Sequence, residues 1–464
     1  MTASWRPGEQ SLGHSVLSAP QQAGRGLVDV LLVLGVVAMM TLSSFALGFF
    51  GVPYDSAGGS IVTKIHPGTY LFSLALALAV IANRNPVVYT LDLFLRCLGS
   101  TFLLLACLLM WAFISRFKPD YTVSFLIDSL IAPALIVFLF ADAGPRTRLT
   151  IARLVHIILV FNCFLSIVEG LSGWRLFPFI LNERAQTWEY RATGLLGHPL
   201  IGALITGVYA VILMTVRDVR GLSERWRKPI VLLCLVTMPF IGSRTSFTVV
   251  YAVGAVIAGR SIRGFLRGQA ISVRTQVALL VLVPLALVAL AGLYHAGVFD
   301  KFIDRFTQDK SSAQSRVLLF NLFKDSSFAD WLFGQSSAAL DTNVRLNGLT
   351  EGIENSWAGL LLRFGLVMST VLWFGVIAWF TDLLRAAGRG AVLPIVFVLL
   401  IVSTTTGFSG KTTMLTIPAI LILALVAKVS NVERSFEGND LVLQIRRQAP
   451  QAASGGVRRS SRRR

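Results

Sequence analysis

Two arginines stand at tight, glycine-bearing junctions of a very apolar chain, a third precedes a short apolar helix, and an acid opens a late apolar segment. Arg191 lies in YRATGLLGHPLIGA, Arg244 in GSRTSF and Arg316 in SSAQSRVLLF, while Glu354 precedes Asn355, Ser356 and Trp357 in ENSWAGLLLRFG. Guanidinium forks match phosphate oxygens and stay charged, so three separated arginines on one face suit a phosphate or pyrophosphate. Ser243 or Thr245 is placed to cap the helix after GSRTSF. Arg244 then sits beside a helix N-terminus, where free N–H groups and the dipole already attract anions. The competing reading is that each arginine pairs with a local carboxylate or snorkels to lipid headgroups.

Glu354 admits two readings as well. A carboxylate at a helix N-terminus favours the dipole on its own account, whereas partial burial would suit it to general-base work on a hydroxyl. Arg363 lies two turns further along the same segment and must pair or face a polar cavity, with Glu169 and Asp128 as possible partners. His198, in GHPL, is either a polar group at the mouth of the site or a turn histidine held before Pro199.

The elements that must position these residues are apolar runs of helical length. The chain has 464 residues, 54% hydrophobic and 14% charged, with a mean hydropathy of +0.69. A soluble domain averages about 25% charged residues. The composition therefore defines an all-α polytopic membrane protein, in which each span satisfies its own backbone hydrogen bonds. About twelve spans are legible by length. The first is 27–50, and then come 67–82, 93–114, 121–141, 151–171, 194–216, 229–241, 246–259, 277–295, 356–380, 392–406 and 412–428. The longest polar interval falls between the ninth and tenth. Within it, the segment after Arg316 reads as an amphipathic helix with Val317, Phe320 and Leu322 or Phe323 toward the membrane.

An even number of spans puts both termini on one side. Most Lys and Arg fall inside when the termini are inside, and the outer loops then nearly balance. The domain reading is a cytoplasmic N-terminus 1–26, a transmembrane domain 27–428 with an outer loop 296–355, and a basic cytoplasmic tail 429–464. The net charge of +18 is then largely topological, and the tail meets anionic headgroups without a nucleic-acid partner.

Cys97, Cys107, Cys163 and Cys234 all lie in apolar runs with no C-x-x-C spacing, as small buried hydrophobes do. No outer loop carries D-x-D or a His/carboxylate cluster, so no metal is expected. There is no Walker loop and no Ser-His-Asp arrangement on the outer face, and no cofactor is expected.

RATGLLGHPLIGA, GSRTSF, SRVLLFNLFKDSSFADWLFGQ and ENSWAGLLLRFGLV, in this order around a late outer loop, resemble the bacterial O-antigen ligase and Wzy-type polysaccharide polymerase superfamily. The resemblance covers most of the chain. It implies a GT-C-like helical fold in the bacterial inner membrane and glycosyl transfer on the periplasmic face from an undecaprenyl-pyrophosphate-linked oligosaccharide. On this chain it implies that Arg191, Arg244 and Arg316 hold the donor pyrophosphate, with His198, Asn355 and Arg363 as further substrate contacts. Glu354 and Arg244 would be the catalytic pair. A chain-length regulator and a flippase of the same pathway are the expected protein partners. Ligases of the superfamily carry a His where this chain has Glu354, which points to a repeat-unit polymerase rather than a ligase. A lipid-linked oligosaccharide flippase is the alternative of another class; only Arg96, Asp128, Glu169 and Arg363 lie deep enough in the spans to line a pathway.

Overall fold

The structure, a computed structural model, describes residues 19–55, 60–181, 184–185, 191–268, 291–292, 294–295, 312–324, 326–349 and 353–426. The N-terminal 1–18, most of the ninth expected span, the first part of the long loop and the basic tail lie outside the described residues.

The described residues are almost wholly helical. In chain order they form α1 (Ala19–Thr41), α2 (Ser44–Phe49), α3 (Pro67–Ile81), α4 (Pro86–Arg96), α5 (Leu98–Phe117) and α6 (Ser124–Asp142). Next come α7 (Pro145–Ser172), α8 (Pro199–Thr215), α9 (Glu224–Ile241) and α10 (Arg244–Leu266). Three short helices, α11 (Ser312–Asn321), α12 (Phe328–Phe333) and α13 (Ser337–Leu346), precede α14 (Ser356–Ala387), α15 (Val392–Ser403) and α16 (Thr416–Val426). The one strand pairing among the described residues joins Ile180–Leu181 to Arg184–Ala185.

Among the described residues, five helices are long and apolar enough to cross a membrane: α5, α6, α7, α10 and α14. Shorter apolar helices include α3, α8 and α16. Their surroundings differ. α8 is buried all round, with Leu204, Ile205, Val208, Tyr209 and Ile212 inside the core. α10 has only 6% of its most apolar window buried, and α5 exposes Phe102, Leu105, Leu108, Leu109 and Trp111. Exposed apolar surface of this extent suits a protein whose solvent is lipid.

Packing between the long helices relies on small residues and one buried acid. α5 lies against α14 with Gly99 on the Ala378 carbonyl and Gly375 on Leu103 and Ala106. Asp382 of α14 accepts from the Ser100 amide at 2.7 Å and from its hydroxyl at 3.0 Å, satisfying a free donor in the first turn of α5.

Three elements depart from the spans read in the sequence. The first run breaks at Leu42–Ser43, where the Leu42 carbonyl leaves the helix ladder and takes the His66 ring at 2.6 Å. The third is preceded by a separate amphipathic helix, α4, and α5 begins only after a break at Cys97. α14 is kinked at Gly365, whose φ of 71° and ψ of 178° interrupt the helix.

The kink at Gly365 seats the long loop. Gly334, just after α12, packs backbone to backbone on Arg363 and Phe364, and Gly365 packs in the same way on Leu332 and Phe333. A Cβ at either glycine would collide with main-chain atoms. The Leu362 carbonyl, freed by the kink, accepts from the Gln335 amide at 2.8 Å. Lys118 Nζ donates to the Gly334 carbonyl at 2.6 Å, and the Tyr121 hydroxyl donates to the Gln335 carbonyl at 3.2 Å. Above this joint Leu322, Leu340, Leu349 and Ile353 close on Leu362 as a small second core. Of the pair Leu322 or Phe323 read as membrane-facing, Leu322 is fully buried and Phe323 packs partly buried against the same core, whereas Val317 and Phe320 are exposed.

Candidate functional site

His198, Arg244, Glu354 and Asn355 lie at or just outside the ends of helices, and Arg191 lies in the segment leading to α8. Glu169, near the end of α7, organises the segment that carries Arg191. Glu169 is 2% exposed. It accepts from the Thr193 and Gly194 amides at 2.8 Å each, the Thr193 hydroxyl at 3.1 Å and the Leu176 amide at 3.1 Å. Asn162, two turns earlier, accepts from the Leu195 amide at 2.9 Å. Gly194 and Gly197 adopt φ of 54° and 78°, and Gly197 lies tight against Ser43. Glu169 is thus the holder of the RATG turn and not a partner of Arg363.

The same segment meets the turn that carries Arg244. Ala192 donates to the Phe240 carbonyl at 2.9 Å, and Gly170 leaves room for the Phe240 ring. Gly242 then reverses the chain with a left-handed φ of 71°. Ser243 takes the N-cap position of α10, and Arg244 is the first residue of that helix, as the sequence suggests. The Ser243 hydroxyl bonds Ser246 Oγ at 3.3 Å instead of capping a backbone N–H. Arg191 and Arg244 therefore belong to one corner. His198 is the N-cap of α8: its Nδ1 accepts from the Leu200 amide at 3.2 Å, and its ring lies 5.9 Å from Phe179. Arg316 lies within α11, and its side chain falls outside the described residues.

The acid-bearing side of the rim is fixed by α14. Asn355 caps it, with Oδ1 accepting from the Trp357 and Ala358 amides at 3.0 Å each. The Ser356 hydroxyl donates toward the Val402 and Thr405 carbonyls at 3.0 and 2.7 Å, and Trp357 Nε1 donates to Ser403 Oγ at 2.7 Å. These bonds tie the start of α14 to the turn after α15. Glu354 itself is exposed, without the partial burial that one of its two sequence readings called for. Arg363 donates to the Ser409 carbonyl in that same turn, so its partner is backbone and not Glu169 or Asp128.

A third group joins the two sides, and sequence reasoning missed it. Asp128 lies in the π-helical turn of α6 and is fully buried. It accepts from the Tyr54 hydroxyl at 2.7 Å, the Thr69 hydroxyl at 2.7 Å and the His66 amide at 3.1 Å. Beside it, Lys411 Nζ donates to the Tyr54 carbonyl at 2.6 Å and stands 3.2 Å from the centre of the Tyr54 ring. Ser129 Oγ holds the Gly410 carbonyl at 2.7 Å and receives the Thr412 amide at 2.9 Å. Burial pushes the Lys411 ammonium down to about 8, against the opposing pull of Asp55 and Asp128. Burial also lowers His66 below the usual histidine range. Single acids in apolar runs, such as Asp128 and Glu169, were the available signal, but nothing local says which loops return to them.

The described residues form a mainly helical protein with helices suited to a membrane, and the candidate residues lie at helix ends and in the turns between them. No protein-family model and no curated protein matches the chain, so its functional reading rests on these residues.

Proposed function

We propose that the chain is a membrane-embedded glycosyltransferase that polymerises lipid-linked oligosaccharide repeats, a GT-C-like protein of about twelve spans in the bacterial inner membrane. Both termini are cytoplasmic and the rim faces the periplasm. The donor is a glycan on undecaprenyl pyrophosphate, and the acceptor is the next lipid-linked repeat. The observation that carries this reading is the corner made by the Arg191 and Arg244 junctions, joined through the Ala192–Phe240 bond of 2.9 Å. Arg244 opens a helix and Arg191 lies on the segment bonded to the turn before it, an arrangement suited to a pyrophosphate that gains charge as it leaves.

In this mechanism the acceptor hydroxyl oxygen attacks the anomeric carbon of the donor. The bond from that carbon to the pyrophosphate oxygen breaks, and the electron pair departs with the lipid pyrophosphate held by Arg191 and Arg244, with Arg316 as the third expected ligand. Glu354 takes the hydroxyl proton; its exposure leaves the carboxylate open to an acceptor arriving from outside. One displacement with one base inverts the anomeric centre. Asn355 and His198 shape the site through the caps described above, and Arg363 braces the turn that Ser356 grips.

The test is purified protein incubated with a lipid-linked repeat alone. A ladder of longer lipid-linked products is expected. Glu354→Gln should lower its rate about 10²–10⁴-fold and Arg244→Ala about 10²–10³-fold, with insertion unchanged. Product only after addition of lipid A core would instead identify a ligase. Repeats trapped on the cytoplasmic side of cells lacking the protein would identify a flippase.

A further inference from the structure

The rim holds a second built feature besides the arginine corner. A cavity of about 40 Å³ lies between the break after α1, the start of α3, the segment after Arg191 and the turn before α16. By the measure in which one water needs about 10–15 Å³, it has room for a few waters or one substituent of a sugar ring. Tyr54, Asp55, His66 and Lys411 supply its polar wall, with Thr412 and Thr413 beside them, and Leu195 and Leu196 close it from the arginine-bearing segment. The wall is rigid. Tyr54 and His66 are 4% and 1% exposed and both are bonded to Asp128, while Lys411 is pinned to the Tyr54 carbonyl and ring.

The charge pattern decides which chemistry fits. Lys411 stands 3.9 Å from Asp55, and it also feels the buried Asp128 and a second ammonium group, Lys64, which is bonded to the Pro53 carbonyl at 2.8 Å. His66 is held neutral by geometry, because its Nδ1 accepts from the Gly68 amide at 3.0 Å while Nε2 faces the Leu42 carbonyl. Two carboxylates therefore answer two ammonium groups, and an anion would find no net attraction here. Alternating donors and acceptors around an aromatic ring are what a neutral polyol requires.

We propose that this cavity is a sugar subsite: Lys411, Asp55 and Thr413 grip hydroxyl groups of a saccharide whose pyrophosphate end, in the glycosyltransferase reading on which this rests, is bound separately at the Arg191–Arg244 corner. The wall shared through Leu195 and Leu196 couples the two sites, so the cavity would select the sugar presented beside the arginine corner.

The experiment uses the full chain in lipid nanodiscs. Saturation-transfer NMR is recorded with glucose, galactose, mannose, rhamnose and N-acetylglucosamine, and phosphorus line broadening with inorganic pyrophosphate. At least one sugar should respond, and Lys411→Met and Thr413→Val should each cut that response at least fivefold while leaving pyrophosphate broadening intact. Arg244→Ala should do the reverse. A sugar response absent in the native chain, or surviving both cavity variants, overturns the subsite. Loss of pyrophosphate broadening in Lys411→Met also overturns it, by making the cavity an anion site. A native chain that responds to sugar but not to pyrophosphate leaves the cavity standing and counts against the arginine corner.

Discussion

His66 shows how a single residue carries both an element boundary and a pH response. Its Nδ1 caps α3 through the Gly68 amide and its Nε2 bonds the carbonyl at the break after α1. Protonating Nδ1 would remove the cap acceptor. Burial holds the folded pKa below the unfolded value of 6.5, so the unfolded chain binds more protons in the window below 6.5. Stability therefore rises with pH up to that value and is lost on acidification. Thermal unfolding in nanodiscs should fall from pH 7 to pH 5, and His66→Asn, which keeps a capping side chain without a titratable ring, should flatten that fall. A Lys411 value of about 8 against 10.5 in the unfolded chain works in the same direction at higher pH. Stability gains between about 8 and 10.5, and Lys411→Met should abolish that gain. Glu169 makes a third case. Its carboxylate serves three backbone amides and one hydroxyl, and an amide in its place leaves at least one buried donor facing another donor. Glu169→Gln should cost about 2–4 kcal/mol of stability, read as a lower unfolding temperature. It should also weaken pyrophosphate binding more than sugar binding, since it shapes the Arg191 turn. These roles were not legible in advance. The sequence displays lone acids at 128 and 169, but apart from the Leu176 amide the donors that surround them come from segments tens of residues away.

At the scale of elements, the informative joint is the one between α12 and α14. The WLFGQ and RFG segments read in the sequence as a loop end and the middle of a span. The structure presses them together through Gly334, at φ of 79°, and Gly365, at φ of 71°. Any side chain there suffers both an unfavourable backbone region and a main-chain collision, a penalty of about 3 kcal/mol or more. Gly365→Ala should therefore release the loop helices while the spans stay folded. Limited trypsin digestion would read this as faster cleavage after Lys324 and Arg345, both exposed on the loop, with unchanged helical circular dichroism. Equal cleavage rates in both proteins would count against this joint as the loop's anchor. The helices themselves were legible because apolar runs of helical length leave few alternatives in a chain this hydrophobic. The breaks at Leu42–Ser43 and Cys97 were not, since what stabilises the first is the His66 ring, far along the chain.

For the whole molecule, the proposed orientation can be set against the packing of the two ends. One end gathers Tyr54, His66, Asp128, Arg191, Glu354 and Lys411. At the other, the Arg220 amide donates to the Leu425 carbonyl at 3.2 Å and its guanidinium to the Ala424 carbonyl at 3.0 Å. His156 there bonds the Arg220 carbonyl at 3.0 Å and the Tyr209 hydroxyl at 2.7 Å. That second end also carries Arg217 in the α8–α9 connection and Arg225, Arg227 and Lys228 in the first turns of α9, the kind of cluster that stays on the cytoplasmic side. The four native cysteines are all buried, so a membrane-impermeant thiol reagent has little background. Ser60→Cys and Asp341→Cys should label in intact spheroplasts, and Arg84→Cys and Arg225→Cys only after lysis, each position being exposed. Labelling of Arg225→Cys before lysis would place the arginine corner on the cytoplasmic side. The polymerase reading, which needs its donor and acceptor outside, would then fall even if both binding sites were real.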